Sequence, residues 1–169
     1  MDLSKWVDKA SKSNFYRYIF NIGLSRLIPF NKPHKFTVVE ISKAHLKLKL
    51  PYQKRNLNHV KGLHACALAT LAEMSTGLLL ISNLDPKKYR LILQKLELEY
   101  HYQGKTDAFA EYTLDSQFIE HGILNPLTVQ ESVLVPCEVK IFDTNQNHLA
   151  TGRPVWQIKD WKKVKTKVA

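Results

Sequence analysis

Apolar residues recur at three- and four-residue steps through residues 3–28, with lysines and arginines between them. This spacing predicts an amphipathic helix, which is expected to break near Ser11–Asn14 and to end at Pro29. Residues 1–30 are therefore expected to form an N-terminal helical appendage, and residues 31–169 the main domain. The helix either packs on the main domain or presents its apolar face to a membrane surface or a partner helix, and the sequence leaves both open.

The pattern changes to strands after Pro33. Phe36–Ile41 is rich in β-branched residues, and Ala44–Leu50 alternates strictly between leucines and polar side chains, so two strands are predicted. Residues 51–63 contain the proline, asparagine and glycine that are typical of a loop. From His64 to about Ser82, small and aliphatic side chains predict a long central helix.

Four further strands are predicted in the second half of the chain. The first is unusually long and should place Ile92 on the same side as Leu96 and Leu98. A turn at Gln103–Lys105 follows it, residues 115–131 are expected to form an inserted loop with a short helix, and a turn at Asn145–Asn147 precedes the last strand. The four predicted strands are Tyr89–Tyr102, Thr106–Leu114, Val133–Ile141 and Leu149–Ile158.

Long, one-sided strands around a single alanine-rich helix predict an α+β protein of the hot-dog fold. In this fold a long antiparallel sheet wraps around a central helix, and small helical side chains let the sheet approach closely. The sheet has more apolar surface than one helix can cover, and it has open edges. A homodimer that joins two sheets, or a tetramer of such dimers, is therefore expected.

Composition and charge narrow the class of protein. The 169 residues are 44% hydrophobic and 24% charged, which excludes a disordered tail or a collagen-like chain. The net charge of +10 is uneven: residues 1–35 carry 7 basic and 2 acidic residues (+5), residues 36–158 carry 13 and 12 (+1), and residues 159–169 carry 5 and 1 (+4). Basic ends suit an acidic partner, but the neutral middle and the lack of an aromatic RNA-binding motif argue against nucleic acid.

Cysteine and histidine usage argues against a metal site and against secretion. Cys66 and Cys137 are too few for a disulfide framework or a structural zinc site, and the histidines lack paired metal-ligand spacing. The first residues lack a secretory leader pattern, so a cytoplasmic location is expected. Glu73 in the middle of the apolar stretch Leu63–Leu84 argues against a membrane span.

The stretch from Arg55 to Glu73 reads RNLNHVKGLHACALATLAE. It resembles the Asn-(x)3-Gly-x-His-Gly-Gly-(x)7-Asp/Glu signature of hot-dog acyl-CoA thioesterases of the phenylacetate-degradation type. With its leading helix and the sequence PFNKPH at Pro29–His34, the chain is also similar, over about residues 25–160, to an uncharacterised thioesterase-like branch of that superfamily. It departs from the signature where Ala65-Cys66 replaces Gly-Gly, where six residues rather than seven separate Cys66 from Glu73, and where Leu91–Leu93 stand without a serine or threonine.

The resemblance implies roles for four residues of this sequence. Asn58 would contact or orient the thioester, and His64 would stand at the helix start. The backbone N–H of Ala65 would polarise the thioester carbonyl, and Glu73 would be the general base or the nucleophile. Gly62, the glycine of the signature, and His59 beside it in the loop would contact the substrate. The implied substrate is a coenzyme A thioester, with no further cofactor.

The residues support this chemistry independently. A thioester oxygen gains negative charge during attack and needs hydrogen-bond donors, which the first turn of a helix beginning near His64 would supply. Glu73 is a lone acid in an apolar helix, where burial is costly. Because Glu73 follows His64 by nine residues, the two lie about 13 Å apart along the helix and about half a turn apart around it. A shared site therefore requires the helix start of one subunit and Glu73 of the other.

Several alternatives stay open at this stage. Lys54, Arg55 and Lys61 would hold the phosphates of coenzyme A or would be solvated loop residues. Cys66 and His64 are two positions apart and do not face each other on a helix, which argues against a cysteine nucleophile. An acyl-CoA thioesterase is the first hypothesis. The alternatives are a hot-dog protein that binds an acyl ligand without turnover and an acyl dehydratase that uses His59 and Glu73.

Overall fold

The computed structural model describes residues 3–165, so residues 1–2 and the end of the basic C-terminal segment, residues 166–169, lie outside the described part of the chain. The described helices are α1 (Leu3–Lys12), α2 (Asn14–Leu27) and α3 (Ala65–Ser82). The strands are β1 (Thr37–Ile41), β2 (His45–Leu50), β3 (Tyr89–Tyr100), β4 (Ala108–Thr113), β5 (Ser132–Pro136), β6 (Val139–Asp143) and β7 (His148–Asp160). Short 3-10 turns occupy Pro29–His34 and Lys54–Asn56, and residues 116–129 are helical with a π-helical middle turn at Ile119–Leu124.

The N-terminal helices pack on the sheet, and the predicted break between them is confirmed at Ser13. Val7 of α1 and Phe20 of α2 are buried in the core. The Asn21 side chain accepts a hydrogen bond from the backbone N–H of Val38 (2.7 Å) and donates one to the carbonyl of the same residue (3.1 Å). Because both bonds reach β1, they fix α2 against the edge of the sheet.

The seven strands form one antiparallel sheet in the order β1-β2-β4-β6-β7-β3, with β5 also paired to β7. The sheet wraps around α3, which confirms the predicted α+β hot-dog fold. α3 is long and apolar enough to cross a membrane by length and composition, but 67% of it is buried inside the fold. It is therefore the core helix of the domain.

The prediction of a single strand through Val133–Ile141 was wrong in its count of strands. β5 and β6 pair with successive parts of β7 in one continuous register, from Pro136↔Val155 to Val139↔Gly152. Between them Cys137 donates its backbone N–H to the carbonyl of Pro154 (2.9 Å). Proline has no N–H to return that bond, so the hydrogen-bond pairing between the strands is interrupted there. Buried and exposed side chains nevertheless continue to alternate.

The side assigned to Ile92 was also wrong. Leu93 pairs with Trp156 and Lys95 with Val155, so Gln94 is an extra residue that forms a β-bulge in β3. A bulge reverses the alternation of side chains that follow it. Leu91 and Leu93 therefore pack on the core together with Leu98, whereas Ile92 lies on the opposite face and is 47% exposed.

Small residues set the distance between α3 and the sheet, as the alanine-rich sequence predicts. A Cβ atom added to Gly152 of β7 would lie 2.5 Å from the Cβ atom of Ala72. A Cβ atom added to Gly77 would overlap the ring of Trp156, whose Nε1 donates to the Thr76 hydroxyl (2.9 Å). The helix and β7 are thus in direct contact along two turns.

The contact between Gly152 and Ala72 predicts a compensating pair of substitutions. Gly152→Ala overpacks the interface and should lower the free energy of unfolding by about 1–3 kcal/mol, and Ala72→Gly should lower it by about 1 kcal/mol through helix propensity. Because Ala72→Gly removes the clashing methyl group, the double variant should lose less than the sum of the single losses. Urea unfolding of all four proteins measures this coupling; strictly additive losses would show that the two residues do not limit the approach of helix and sheet.

Candidate active site at the start of α3

The start of α3 is built around His64. His64 is the N-cap residue, and its Nδ1 atom accepts a hydrogen bond from the backbone N–H of Cys66 (3.0 Å). Among residues 3–165 no acceptor faces the N–H of Ala65, the first residue of the helix. Helix N-termini carry partial positive charge, so this N–H is a donor available to a carbonyl oxygen or an anion.

A cavity of about 310 Å³ adjoins the helix start. Its wall combines aromatic and aliphatic side chains with one guanidinium group, two imidazoles, a thiol and a hydroxyl. The lining residues are Phe30, His34, Arg55, Leu57, His64, Cys66, Ala67 and Thr70. The predicted residues His64 and Arg55 therefore share one cavity.

A larger groove, about 520 Å³ in volume, lies at the opposite end of α3. It is formed by Leu3, Ser4 and Lys43 together with the segment from Ser82 to Lys87. The groove adjoins the C-terminus of the helix, where carbonyl groups rather than N–H groups are unpaired. The smaller cavity adjoins the end of the helix where N–H groups are unpaired, so it is the candidate site despite its size, although Ala65 itself does not line it.

Asn56 connects the segments around the cavity and is fully buried. Its Nδ2 atom donates to the backbone carbonyls of His34 (3.0 Å) and Pro51 (2.8 Å). The backbone carbonyl of Asn56 accepts the N–H of His64 (2.8 Å). With Nδ2 committed to two carbonyls, the Oδ1 atom must be the partner of His34 Nδ1 (2.8 Å). Neutral His34 therefore carries its proton on Nδ1 and a lone pair on Nε2.

The other predicted loop residues lie outside the cavity lining. Asn58 closes the loop, because its Oδ1 atom accepts the N–H groups of Val60 (3.1 Å) and Gly62 (2.9 Å). Gly62 is buried against the side chain of Gln103. His59, Lys54 and Lys61 are exposed. Lys61 has a left-handed backbone (φ 58°), and its carbonyl accepts the hydroxyl of Tyr52 (2.6 Å).

Glu73 lies further along the same helix. α3 runs without interruption from Ala65 to Ser82, so Glu73 stays about 13 Å from the helix start. Its side chain is half-buried, and burial raises the pKa of its carboxyl group above the ordinary value of 4.5. Helical spacing puts Glu73 on the same side of α3 as Thr70 and Cys66, although it does not line the cavity.

Tyr100, at the end of β3, reaches the helix start. Its hydroxyl donates to the carbonyl of Ala65 (3.1 Å). Burial, together with the neighbouring Cys66, raises the pKa of the Tyr100 hydroxyl. A neutral hydroxyl that contacts the first helical residue therefore marks the β3 side of the site.

The sequence interpretation missed His34, Asn56 and Tyr100 as site residues. Asn56 and Asn58 stand two positions apart in the same loop, and nothing in the pattern separates the buried one from the half-exposed one. Tyr100 lies 35 positions from Ala65, so only the fold brings the two together. The one available signal for His34 was its place at the end of the PFNKPH segment.

Solved structures of other proteins share this architecture. PA5026 of Pseudomonas aeruginosa, a protein of unknown function described as a probable thioesterase, has a TM-score of 0.75 and 21% identity over 80% of this chain and 90% of its own. A mutant of thioesterase SAV0944 of Staphylococcus aureus has a TM-score of 0.63 and 12% identity, over 78% of this chain and 99% of its own. PaaI of Escherichia coli, from the phenylacetic acid degradation operon, has a TM-score of 0.60 and 11% identity, over 91% of this chain and 94% of its own. At these identities the likeness establishes the fold.

The wrapped sheet and these likenesses define a protein of the hot-dog fold. Residues 17–162 match the family DUF4442, a domain of unknown function, and the chain belongs to this family. The resemblance to an uncharacterised thioesterase-like branch is thereby confirmed. Among proteins with curated descriptions, none matches the sequence.

Proposed function

We propose that this protein is an acyl-CoA thioesterase whose site lies between two copies of the chain. The observation that supports this most is the unbonded N–H of Ala65 at the helix start, which adjoins the cavity, together with a half-buried Glu73 that has a raised pKa; neither residue lines the cavity itself. The names of PA5026 and SAV0944 point to the same reaction. The homodimer and the cytoplasmic location remain part of the proposal.

In the proposed reaction, the thioester carbonyl oxygen accepts the N–H of Ala65, which stabilises the charge that develops during attack. Glu73 of a second copy removes a proton from water, and the water oxygen bonds to the carbonyl carbon. Collapse of this intermediate breaks the C–S bond. The thiolate takes the proton that Glu73 removed, and the products are a carboxylic acid and coenzyme A. Direct attack by the carboxylate would instead give an anhydride that water opens.

The phosphate groups of coenzyme A are proposed to bind the basic side chains beside the cavity. Arg55 lines the cavity, and Lys54 and Lys61 are exposed in the same loop. A guanidinium group binds phosphate through two parallel hydrogen bonds. The acyl group would then lie against the apolar part of the wall, formed by Phe30, Leu57 and Ala67.

A second candidate function is acyl-CoA binding without hydrolysis. The placement of Asn58 favours it, because both hydrogen bonds to its Oδ1 atom come from its own loop. The side-chain carbonyl is therefore already occupied by the fold. An acyl dehydratase would need His59, which is exposed and lies outside the cavity lining.

The test is a panel of acyl-CoA thioesters of different chain lengths, with free coenzyme A measured by a thiol reagent. The same ligands are titrated by calorimetry, and the molar mass of the protein is measured by light scattering. Hydrolysis of at least one member by a dimer supports the proposal. Tight binding without release of thiol identifies a binding protein, and hydrolysis by a strict monomer excludes the shared site.

The pKa of Glu73 predicts the pH dependence of hydrolysis. A general base must be ionised, so kcat should fall as pH decreases, with a midpoint above 4.5 because burial raises the pKa of Glu73. Rates measured at saturating substrate between pH 4.5 and 8 give this midpoint. A rate that stays constant across the whole interval would mean that another group carries the proton.

A further inference from the structure

The side of α2 that faces away from the sheet is apolar. Phe20 and Leu24 are buried on its inner side. At about 100° per residue, Phe15, Ile19 and Ile22 lie on the side opposite Leu24. A helix on the surface of a protein in water normally carries polar residues on that side, so the outer half of α2 is unusual.

Several large apolar side chains of α2 and of the turn that follows it are exposed to solvent. Phe15 and Tyr18 on α2 are 67% and 65% exposed, and Leu27 and Phe30 at its C-terminal end are each 65% exposed. Together with Ile28, which is also exposed, these five residues are called the apolar ridge. Isolated exposed apolar residues are ordinary, whereas a group of this kind marks an interaction surface.

The ridge stands in a basic part of the fold. Residues 1–35 carry 7 basic and 2 acidic residues, whereas residues 36–158 are nearly neutral. Lys12, Arg26 and Lys32 are exposed near the ridge. Lys9 lies over the rings of Trp6 (5.7 Å) and Tyr16 (5.4 Å), which holds another cation between α1 and α2.

We propose that the apolar ridge and its flanking cations bind an anionic membrane surface. Aromatic and aliphatic side chains beside lysine and arginine are the composition of helices that lie in the headgroup region of a bilayer, and each nearby cation adds to the attraction of anionic lipids. A second copy of the chain is the weaker candidate, because it would bring an equally basic surface and repel the first. The charge therefore selects the lipid as the occupant.

This orientation places the candidate site next to the membrane. Phe30 belongs to the ridge and also lines the cavity at the start of α3. A protein that is seated through the ridge would hold the mouth of this cavity at the level of the lipid headgroups. The proposal does not depend on hydrolysis, because the ridge residues other than Phe30 and the flanking cations take no part in the proposed reaction.

The experiment is co-sedimentation of the full-length protein with vesicles of phosphatidylcholine alone or with about one-third phosphatidylglycerol. We expect binding to the anionic vesicles to be about tenfold stronger, and to weaken as the salt concentration rises. Phe15→Ser with Tyr18→Ser should weaken this binding about tenfold or more by removing buried apolar area. Lys12→Gln with Arg26→Gln should weaken it mainly at low salt.

Matched controls distinguish binding through the ridge from nonspecific adsorption to vesicles. Val129→Ser with Leu134→Ser changes two exposed apolar residues elsewhere on the fold, and Lys105→Gln with Lys140→Gln changes two exposed lysines. Both control pairs should bind vesicles like the wild type. Equal binding by the ridge variant and its control overturns the proposal, and so does a ridge variant that changes the molar mass in solution instead of the vesicle affinity.

Discussion

Replacing Glu73 by glutamine is expected to lower kcat by about 100-fold or more, because glutamine keeps the shape of the side chain but cannot take a proton. Binding of a slowly hydrolysed acyl-CoA should change little. The matched control is Glu120→Gln, which alters an exposed glutamate of the helical segment and should leave kcat unchanged. Unaltered hydrolysis by Glu73→Gln would remove the carboxylate from the mechanism.

The same substitution should stabilise the protein at neutral pH. Burial raises the pKa of Glu73 above 4.5, so the protonated form favours the folded state. The resulting stability is present below pH 4.5 and is lost as pH rises through the raised pKa. Glutamine stays neutral throughout. Urea unfolding should therefore show equal stability near pH 4 and a more stable variant near pH 8; the opposite order would mean that the ionised carboxylate has a favourable partner.

A companion variant tests whether the site is shared between subunits. Ala65→Pro deletes the N–H of the first helical residue, a position where proline is tolerated, and His64 already has the extended backbone that precedes proline (φ −69°, ψ 138°). Ala65→Pro and Glu73→Gln should each be inactive as homodimers. Subunits of both variants, mixed by co-expression, should recover about a quarter of the wild-type activity, because each mixed dimer then has one intact site. A site within one chain would recover none.

Asn56→Ala is expected to lower the free energy of unfolding by about 2–4 kcal/mol. The substitution leaves the carbonyl of Pro51 and the Nδ1 atom of His34 without their partner, and an unsatisfied buried polar group costs about 1–3 kcal/mol. The carbonyl of His34 loses one of its two donors and keeps the bond from Gln53 (3.0 Å). The equilibrium unfolding curve in urea gives the value directly. Hydrolysis should also fall, since the loss of the side-chain bonds loosens the loop whose backbone carbonyl, at Asn56, accepts the N–H of His64 at the helix start.

Asn58→Ala is the matched control for the loss of stability. Asn58 is half-buried, and it serves two N–H groups of an exposed loop, where water can replace the lost bonds. A loss of about 1 kcal/mol or less is expected. If both variants lose the same stability, the assignment of Asn56 as the central residue of this region is wrong.

The sequence predicts the helices and the fold because period and composition act over many residues. The extent of α3 was predicted to within one residue, since small and aliphatic side chains begin and end sharply at His64 and Ser82. The break between α1 and α2 was similarly visible. These features depend on local patterns that the fold does not have to override.

The features that escaped prediction depend on contacts between distant segments. The bulge at Gln94 and the interrupted pairing opposite Pro154 depend on contacts with a neighbouring strand. The sequence of one strand does not reveal which strand it pairs with. Asn56 differs from Asn58 only in its burial, which the turn at Pro29–His34 and the end of β2 create. The roles of Ala65 and Glu73 came from the resemblance and from helix geometry, and they await the variants described above.

The close seating of α3 on β7 has a consequence for how different substrates would be accommodated. A helix whose Ala72 touches Gly152, and whose Gly77 touches an indole ring, cannot slide along β7 or move closer to it without a steric clash. Adjustment to acyl groups of different size must then come from the two short turns at Pro29–His34 and Lys54–Asn56. We therefore expect relatives that select different chain lengths to differ in these two turns, while α3 and the small residues in contact with it stay alike.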